Sequence, residues 1–299
     1  MNAYSLGTIV SAFGRHYEVR TQTGEVLHGT PRAKKSELAC GDTVQWVLSA
    51  PGQCRIETFI ERRNLLYRSD AFKQKLIAAN LDVMMIVTAV EPSFSEALVS
   101  RCLSAAIAAN IAPFIVLNKI DLSANLAQAR KQLDIFHALN IPIIELCAYE
   151  TSEKLRPHLF GKRAIFVGQS GMGKSTLTNA LVPHAKATIG EISTALDAGR
   201  HTTTFARLYT LPENTELIDS PGLQMFGLAH LSELELAHSF PELRPLMGTC
   251  RFRNCHHDQE PGCAFITAVN AGLIHPKRFE HFCTIRAEIQ NAKRQNPGW

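Results

Sequence analysis

Hydrophobic and polar positions change rhythm three times along the chain. In residues 4–60, Thr8 to Phe13, Tyr17 to Thr21 and Thr43 to Leu48 mix β-branched, aromatic and polar residues with a period near two. Gly24, Gly29, Gly41-Asp42 and Pro51-Gly52 punctuate these runs, so the spacing predicts five short strands closing into a small barrel. From about residue 70 the pattern alternates between strand and helix. Val83 to Ala89, Pro113 to Leu117, Ile141 to Leu146 and Arg163 to Val167 read as apolar strands, and Leu217-Ile218 ends another. Helical periodicity covers Ser95 to Ala109 and about Ser123 to Leu139. Such alternation implies a mostly parallel sheet covered by helices on both faces. From about residue 231 the chain reads as helical, interrupted by a Cys/His cluster. The expected fold class is therefore multidomain α/β: a barrel over 1–62, an α/β domain over 63–230 and a helical unit over 231–299.

Of 299 residues, 45% are hydrophobic and 19% charged, which supports a buried core rather than disorder. No apolar run approaches the ~20 residues that span a bilayer. Met1 to Leu6 has no charged region followed by an apolar stretch. A soluble, cytoplasmic protein without membrane partners is expected. Net charge is +4, and basic and acidic groups nearly balance within each of the three regions. Charge alone therefore does not argue for nucleic acid; only local patches could. Cys40, Cys54, Cys102, Cys147 and Cys283 are scattered and read as small buried hydrophobes, whereas Cys250, Cys255 and Cys263 cluster.

Gly168-Gln169-Ser170-Gly171-Met172-Gly173-Lys174-Ser175 matches G-x-x-x-x-G-K-[ST] between an apolar strand and a helix that Ser175 and Thr176 open. Its glycines let backbone N–H groups turn toward phosphates, Lys174 reaches the outer phosphates, and the Ser175 hydroxyl suits Mg²⁺. Asn118-Lys119-Ile120-Asp121 chooses the base. The Asp121 carboxylate can accept from both N1–H and the 2-amino group of guanine, a pattern that adenine lacks. Asn118 can bond the N7 edge, the Lys119 stem can pack on the ring, and the Ala148 N–H is a candidate donor to O6. Asp219-Ser220-Pro221-Gly222 places Asp219 to hold Mg²⁺ through water and the Gly222 N–H to meet the γ-phosphate. In Gly199-Arg200-His201-Thr202-Thr203-Thr204 a threonine should close on Mg²⁺, with Thr203 preferred over its neighbours. Leu223 stands where many GTPases carry a water-orienting glutamine. His201 is the best local substitute, because a neutral imidazole can accept a hydrogen bond from water. The guanine-reading segment precedes the phosphate loop, the reverse of the usual order. Circular permutation of this kind leaves a site assembled in space intact, and makes the chain leave the domain just after the γ-phosphate sensor.

Cys250-x4-Cys255-x-His257-x5-Cys263 supplies three thiolates and an imidazole, a set that suits closed, structural Zn²⁺; His256 is the alternative register. Arg251, Arg253, His256, Lys277 and Arg278 surround it and are expected to form a surface patch able to face RNA.

These motifs together resemble the RsgA (YjeQ/YloQ) family of circularly permuted, ribosome small-subunit-dependent GTPases, over essentially the whole chain. The resemblance implies an N-terminal OB-fold, a permuted GTPase domain and a C-terminal zinc domain with His257 as its imidazole ligand. It also implies GTP and GDP binding, hydrolysis stimulated by the 30S subunit in late maturation, contact with 16S rRNA, a monomer, and a role for His201 in hydrolysis. The stretch before Tyr4 departs from the pattern in lacking a basic tail. A GTPase acting on another partner and an ATP-dependent phosphotransferase are the competing classes, and Asn118 to Asp121 argues against the latter.

Overall fold

The structure is a computed structural model that describes residues 4–13, 16–32, 37–182, 205–220 and 226–296. Five strands form the N-terminal unit: β1 (Ser5–Phe13), β2 (His16–Thr21), β3 (Val26–Pro31), β4 (Thr43–Ala50) and β5 (Gln53–Phe59). Strand β1 pairs with β2 on one side and β4 on the other, and β5 bridges β3 to β4, so the sheet closes. Ile9, Val19, Leu27, Val44, Cys54 and Ile56 fill the barrel, the inward half of the period-two pattern. The expected OB-like barrel is present, with strands extending a few residues beyond the bounds read from sequence.

A hairpin follows that periodicity did not reveal: β6 (Leu65–Ser69) and β7 (Gln74–Ala79), joined by a turn in which the Asp70 carboxylate accepts from the N–H groups of Phe72 and Lys73. The α/β domain then runs β8 (Val83–Ala89), α1 (Glu96–Ala108), β9 (Ala112–Asn118), α2 (Ser123–His137), β10 (Ile143–Glu145), α3 (Arg156–Leu159), β11 (Arg163–Val167), α4 (Lys174–Leu181), β12 (Arg207–Leu211) and β13 (Thr215–Asp219). Strand order is β10-β9-β8-β11-β13-β12, parallel except for β12. Every residue of β8 is buried, because the strand lies centrally with both faces covered; hence its nearly continuous apolar run, in which the Thr88 hydroxyl is satisfied by the Val116 carbonyl. The chain moves outward from β8 to β10, then returns to the other side of β8 as β11. The carboxyl ends of β8 and β11 therefore form the switch point where open α/β sheets bind ligands.

Barrel and α/β domain share one continuous sheet through the pairing of Ser11 on β1 with Arg207 on β12. Polar bonds brace the junction. Nη1 of Arg163 donates to the Gly41 carbonyl at 2.6 Å, and Nε to Glu216 at 2.6 Å, while Arg20 grips the other Glu216 oxygen.

After residue 225 the chain first runs beside the hairpin. The Ser69 N–H donates to the Gly227 carbonyl at 3.0 Å, and the Ser69 hydroxyl accepts from the His230 N–H at 2.9 Å. A Cβ on Gly227 would lie 2.2 Å from the Ser69 carbonyl oxygen, so this approach requires glycine. The C-terminal unit comprises α5 (Glu233–His238), α6 (Ala264–Asn270) and α7 (Pro276–Gln295). A capping box, Ser232 with Glu235, starts α5, and Pro276 opens α7 where its missing N–H costs nothing. The unit packs on α1. Lys277 pairs with Glu96, Arg101 with Glu288, and Ser100 accepts from Arg278 at 2.7 Å. Arg278 corrects the sequence reading. It is 1% exposed, bonded to Glu242 and stacked over Phe240, so it is an interior clamp and not part of a surface patch.

Candidate functional site

Loop 168–173 leaves β11 at the switch point. Gly168, Gly171 and Gly173 all have positive φ, and two of them are crowded as well. A Cβ on Gly168 would meet the Val87 carbonyl at 2.2 Å, and one on Gly173 would meet Nδ2 of Asn118 at 2.2 Å. The first contact seats the loop on β8, and the second seats it on the end of β9. Nζ of Lys174 is buried and donates to the carbonyls of Gly168 and Gln169 at 2.9 and 2.8 Å, folding back over its own loop. Burial pushes this ammonium below the ordinary lysine range, with Asp219 working in the opposite direction. The Ser95 N–H, at the N-cap of α1, donates to Oε1 of Gln169 at 2.7 Å.

Asn118 is the hub. Its Nδ2 donates to the Met172 carbonyl at 2.9 Å, and its Oδ1 accepts from the N–H groups of Lys119 at 2.8 Å and Ala148 at 3.0 Å. One buried side chain thus joins the phosphate loop, the end of β9 and the segment after β10. Lys119 has φ +61, a left-handed backbone rare for a non-glycine residue, and its Nζ donates to the carbonyls of Glu91 and Gly171 at 2.7 and 2.8 Å. Its aliphatic stem is thereby drawn along the loop. Asp121 is exposed beside this frame. The Ala148 N–H, expected at the guanine O6, is turned onto Asn118 here.

Asp219 ends β13, paired in register with Phe166 and Arg207, and is 2% exposed. Oγ of Ser175 lies 3.3 Å from its Oδ2, while its Oδ1 is buried and has no hydrogen-bond partner among the described residues. Burial pushes the carboxyl up to about 6, and Lys174 and Ser175 offset only part of that effect. An orphaned carboxylate oxygen beside a hydroxyl at the mouth of a phosphate loop is a donor set that fits Mg²⁺. Ser220, which sequence reasoning passed over, anchors the strand end by donating to the Phe166 carbonyl at 2.6 Å. Glu91 and Ser95 were likewise missed as neighbours of the site. Ser95 is legible as a helix cap, but nothing local says that its N–H faces Gln169. His201, Thr203, Gly222 and Leu223 lie outside the described residues.

The model of the RsgA GTPase family matches residues 59–229. The chain is 52% identical over 277 residues to the small ribosomal subunit biogenesis GTPase RsgA of Burkholderia mallei strain SAVP1, covering 91% of this chain and 88% of that one. It is 48% identical over 295 residues to the protein of the same name from Ralstonia pickettii strain 12J, covering 96% and 94%. The chain belongs to the RsgA GTPase family. As a family member it is a GTPase, a hydrolase acting on GTP with Mg²⁺. Among solved structures it resembles YjeQ from Thermotoga maritima, with TM-score 0.73 and 27% identity over 96% of this chain and 99% of that one. It also resembles YloQ, described as a circularly permuted GTPase, with TM-score 0.70 and 25% identity over 97% and 96%. Among the described residues, no helix of this GTPase is long and apolar enough to cross a membrane.

The second constellation lies in the C-terminal unit. Ligand atoms of Cys250, Cys255, His257 and Cys263 all fall within 4.8 Å of one another. Nδ1 of His257 is 3.6, 3.6 and 3.4 Å from the sulfurs of Cys250, Cys255 and Cys263. A tetrahedral ion with ordinary Zn–S and Zn–N bonds sets that edge at ~3.6 Å, so the group fits Zn²⁺ as it stands. The His257 ring stacks on Phe265 at 3.8 Å, and the Ala264 N–H, in the first turn of α6, points at the Cys250 sulfur from 3.3 Å. The register is His257; the His256 side chain is outside the group.

Proposed function

We propose that this GTPase holds GTP across the switch point, hydrolyses it to GDP and phosphate, and does so in late maturation of the 30S ribosomal subunit, with hydrolysis stimulated by that subunit. The bridging of Met172 and Ala148 by one Asn118 side chain supports the nucleotide reading most directly, since it brings a guanine-reading segment and a phosphate loop into one frame. The printed names of the relatives support the ribosomal role. Gly168, Gln169, Ser170, Gly171, Met172, Gly173 and Lys174 cradle the phosphates through backbone N–H groups and the lysine ammonium, at the mouth of α4, where Thr176 adds its own N–H. Lys119 covers the base, and Asp121 accepts from its N1–H and 2-amino group. Ala148 keeps Asn118 in register, and its N–H is the donor available to O6 once the base is seated.

Ser175, Asp219 and Thr203 would hold Mg²⁺, which when bound neutralises charge developing on the phosphates. The Gly222 N–H meets the γ-phosphate. His201 orients the attacking water, because Leu223 cannot. Cys250, Cys255, His257 and Cys263 hold one structural Zn²⁺, and the units 1–62, 63–230 and 231–299 act as barrel, GTPase and zinc modules of a monomer that meets 16S rRNA.

Asp121→Asn tests the base reading. An amide in place of the carboxylate exchanges acceptor for donor, so preference should pass from GTP to the xanthine nucleotide, whose 2-oxo group accepts. Retained GTP preference would reject the assignment. His201→Ala should cut turnover sharply while GTP affinity holds, and unchanged turnover would reject that role. Co-sedimentation with 30S subunits in a non-hydrolysable GTP analogue tests the partner. Binding in the analogue, weaker binding in GDP and accelerated hydrolysis are expected. Absence of all three would point to a GTPase with a different partner.

A further inference from the structure

Between Cys255 and Cys263 the chain makes a tight knuckle, and a side chain that is not a ligand shapes it. One oxygen of the Glu260 carboxylate accepts the His256 N–H at 2.7 Å, and the other accepts the Asp258 N–H at 2.9 Å. These N–H groups flank His257, whose φ of +59 is a left-handed value that a histidine keeps only where its surroundings hold it. The same carboxylate thus fixes the peptide on each side of the ligand. Beyond it, Asp258 is paired to Arg286 on α7, and the His257 ring lies against Phe265 with an interplanar angle of 11°. Protein contacts thus hold both backbone and ring, with Nδ1 at the spacing from the three sulfurs that a shared tetrahedral ion sets.

We infer that Glu260 is the positioning residue of the metal centre, presetting His257 so that the imidazole need not be ordered when zinc binds; this rests on the zinc reading given above. With both oxygens engaged by N–H groups, Glu260 is not itself a fifth donor. Without it, the His256–Asp258 segment must give up its left-handed turn or hold it unaided, and the imidazole loses register with the sulfurs. Outer-sphere partners of this kind change metal affinity by ~10–100-fold.

The test uses the full-length protein and zinc alone. Glu260→Ala, Glu260→Gln and, as a remote control, Glu213→Ala are loaded with zinc, and release to a colorimetric chelator is followed. The cobalt-substituted proteins are read by visible absorption, which reports a tetrahedral sulfur and nitrogen environment. Glu260→Ala should bind zinc ~10–100-fold more weakly and lose intensity in the cobalt bands. Glu260→Gln, whose amide oxygen can accept only one of the two N–H groups, should fall between it and the parent, and Glu213→Ala should match the parent. If Glu260→Ala does not fold, Glu260→Gln decides alone: weaker zinc binding than the parent supports the role, and parental binding rejects it. A parent with one zinc and Glu260 variants with unchanged affinity, release and spectrum would overturn the positioning role while leaving the zinc site standing. A parent that holds no zinc would overturn both.

Discussion

Oγ of Ser175 stands 3.3 Å from Oδ2 of Asp219, while the other Asp219 oxygen is buried and has no partner among the described residues. The fold therefore keeps a carboxylate in a place that disfavours its charge. Burial raises its folded pKa to about 6, against an ordinary 3.8. An acid with a raised folded pKa costs stability above that value, and the cost disappears as pH falls from about 6 toward 3.8 and the fold takes up the proton. A shift of this size corresponds to ~3 kcal/mol at neutral pH. Asp219→Asn should accordingly melt higher than the parent when both are measured at pH 7.5 without nucleotide or magnesium. Its magnesium-dependent GTP hydrolysis should fall at least ~100-fold. Equal melting temperatures would mean that the carboxylate is not strained.

Asn118 predicts a different pairing of losses. Asn118→Ala leaves the Met172 carbonyl and the Ala148 N–H without their partner in a buried setting. Each such group costs ~1–3 kcal/mol, so stability should drop by ~2–6 kcal/mol in a denaturant titration. Guanine nucleotide affinity should fall with it by ~100-fold or more, because phosphate loop and base segment lose their common tie. Loss of affinity with full stability would show that the side chain touches only the nucleotide.

At the barrel junction, burial alone would raise the Glu216 carboxyl, but Arg163 and Arg20 outweigh it and hold the group below its ordinary range. Removing that carboxylate leaves two guanidinium groups facing each other in a half-buried seam. Glu216→Ala should destabilise the chain by ~2–4 kcal/mol. It should also uncouple unfolding. Fluorescence of Trp46 in the barrel, read in a Trp299→Phe background, should separate from the circular dichroism of the α/β domain. Coincident transitions in the variant would contradict a junction carried by Glu216.

His230 gives the chain an acid-sensitive clamp. Its ring lies against that of Tyr67 at 4.0 Å with a 35° tilt, its Nδ1 lies 2.7 Å from Oγ of Ser69, and burial lowers its folded pKa to about 4 from 6.5. A histidine with a depressed folded pKa contributes stability that is present above 6.5 and lost as pH falls toward 4, because only the unfolded chain takes the proton. The loss should be on the order of 2 kcal/mol, discounted for the part of the ring that water reaches. His230→Gln should flatten the stability profile between pH 6.5 and 4, and a parallel profile would rule the clamp out.

The α/β framework was legible because its signals are local. Val83 to Ala89 is apolar but for Thr88 since both faces are covered, Ser95 caps α1, and the phosphate loop announces itself by glycine spacing. The Cys/His spacing likewise led to the observed group of ligands. The hairpin of β6 and β7 was not legible, because its buried positions, Leu66 and Ser69 in one strand and Ile77 to Ala79 in the other, do not alternate. Its partner, Gly227 to His230, lies more than a hundred residues on. Arg278 misled for a related reason. A basic residue beside a cysteine cluster reads as surface until Glu242, from the turn after α5, and Ser100, from α1, are seen to enclose it. Ala148 lies next to Asn118 in space, but sequence does not say which acceptor its N–H faces.

The grip of Ser69 on Gly227 and His230 works like the strain relief on a cable. Along the chain, the path from β13 to α5 is held at the hairpin first. The C-terminal unit is thus moored twice, by Ser69 at the hairpin and by Lys277 and Arg278 on α1, and the first mooring depends on the glycine at 227 and the serine at 69.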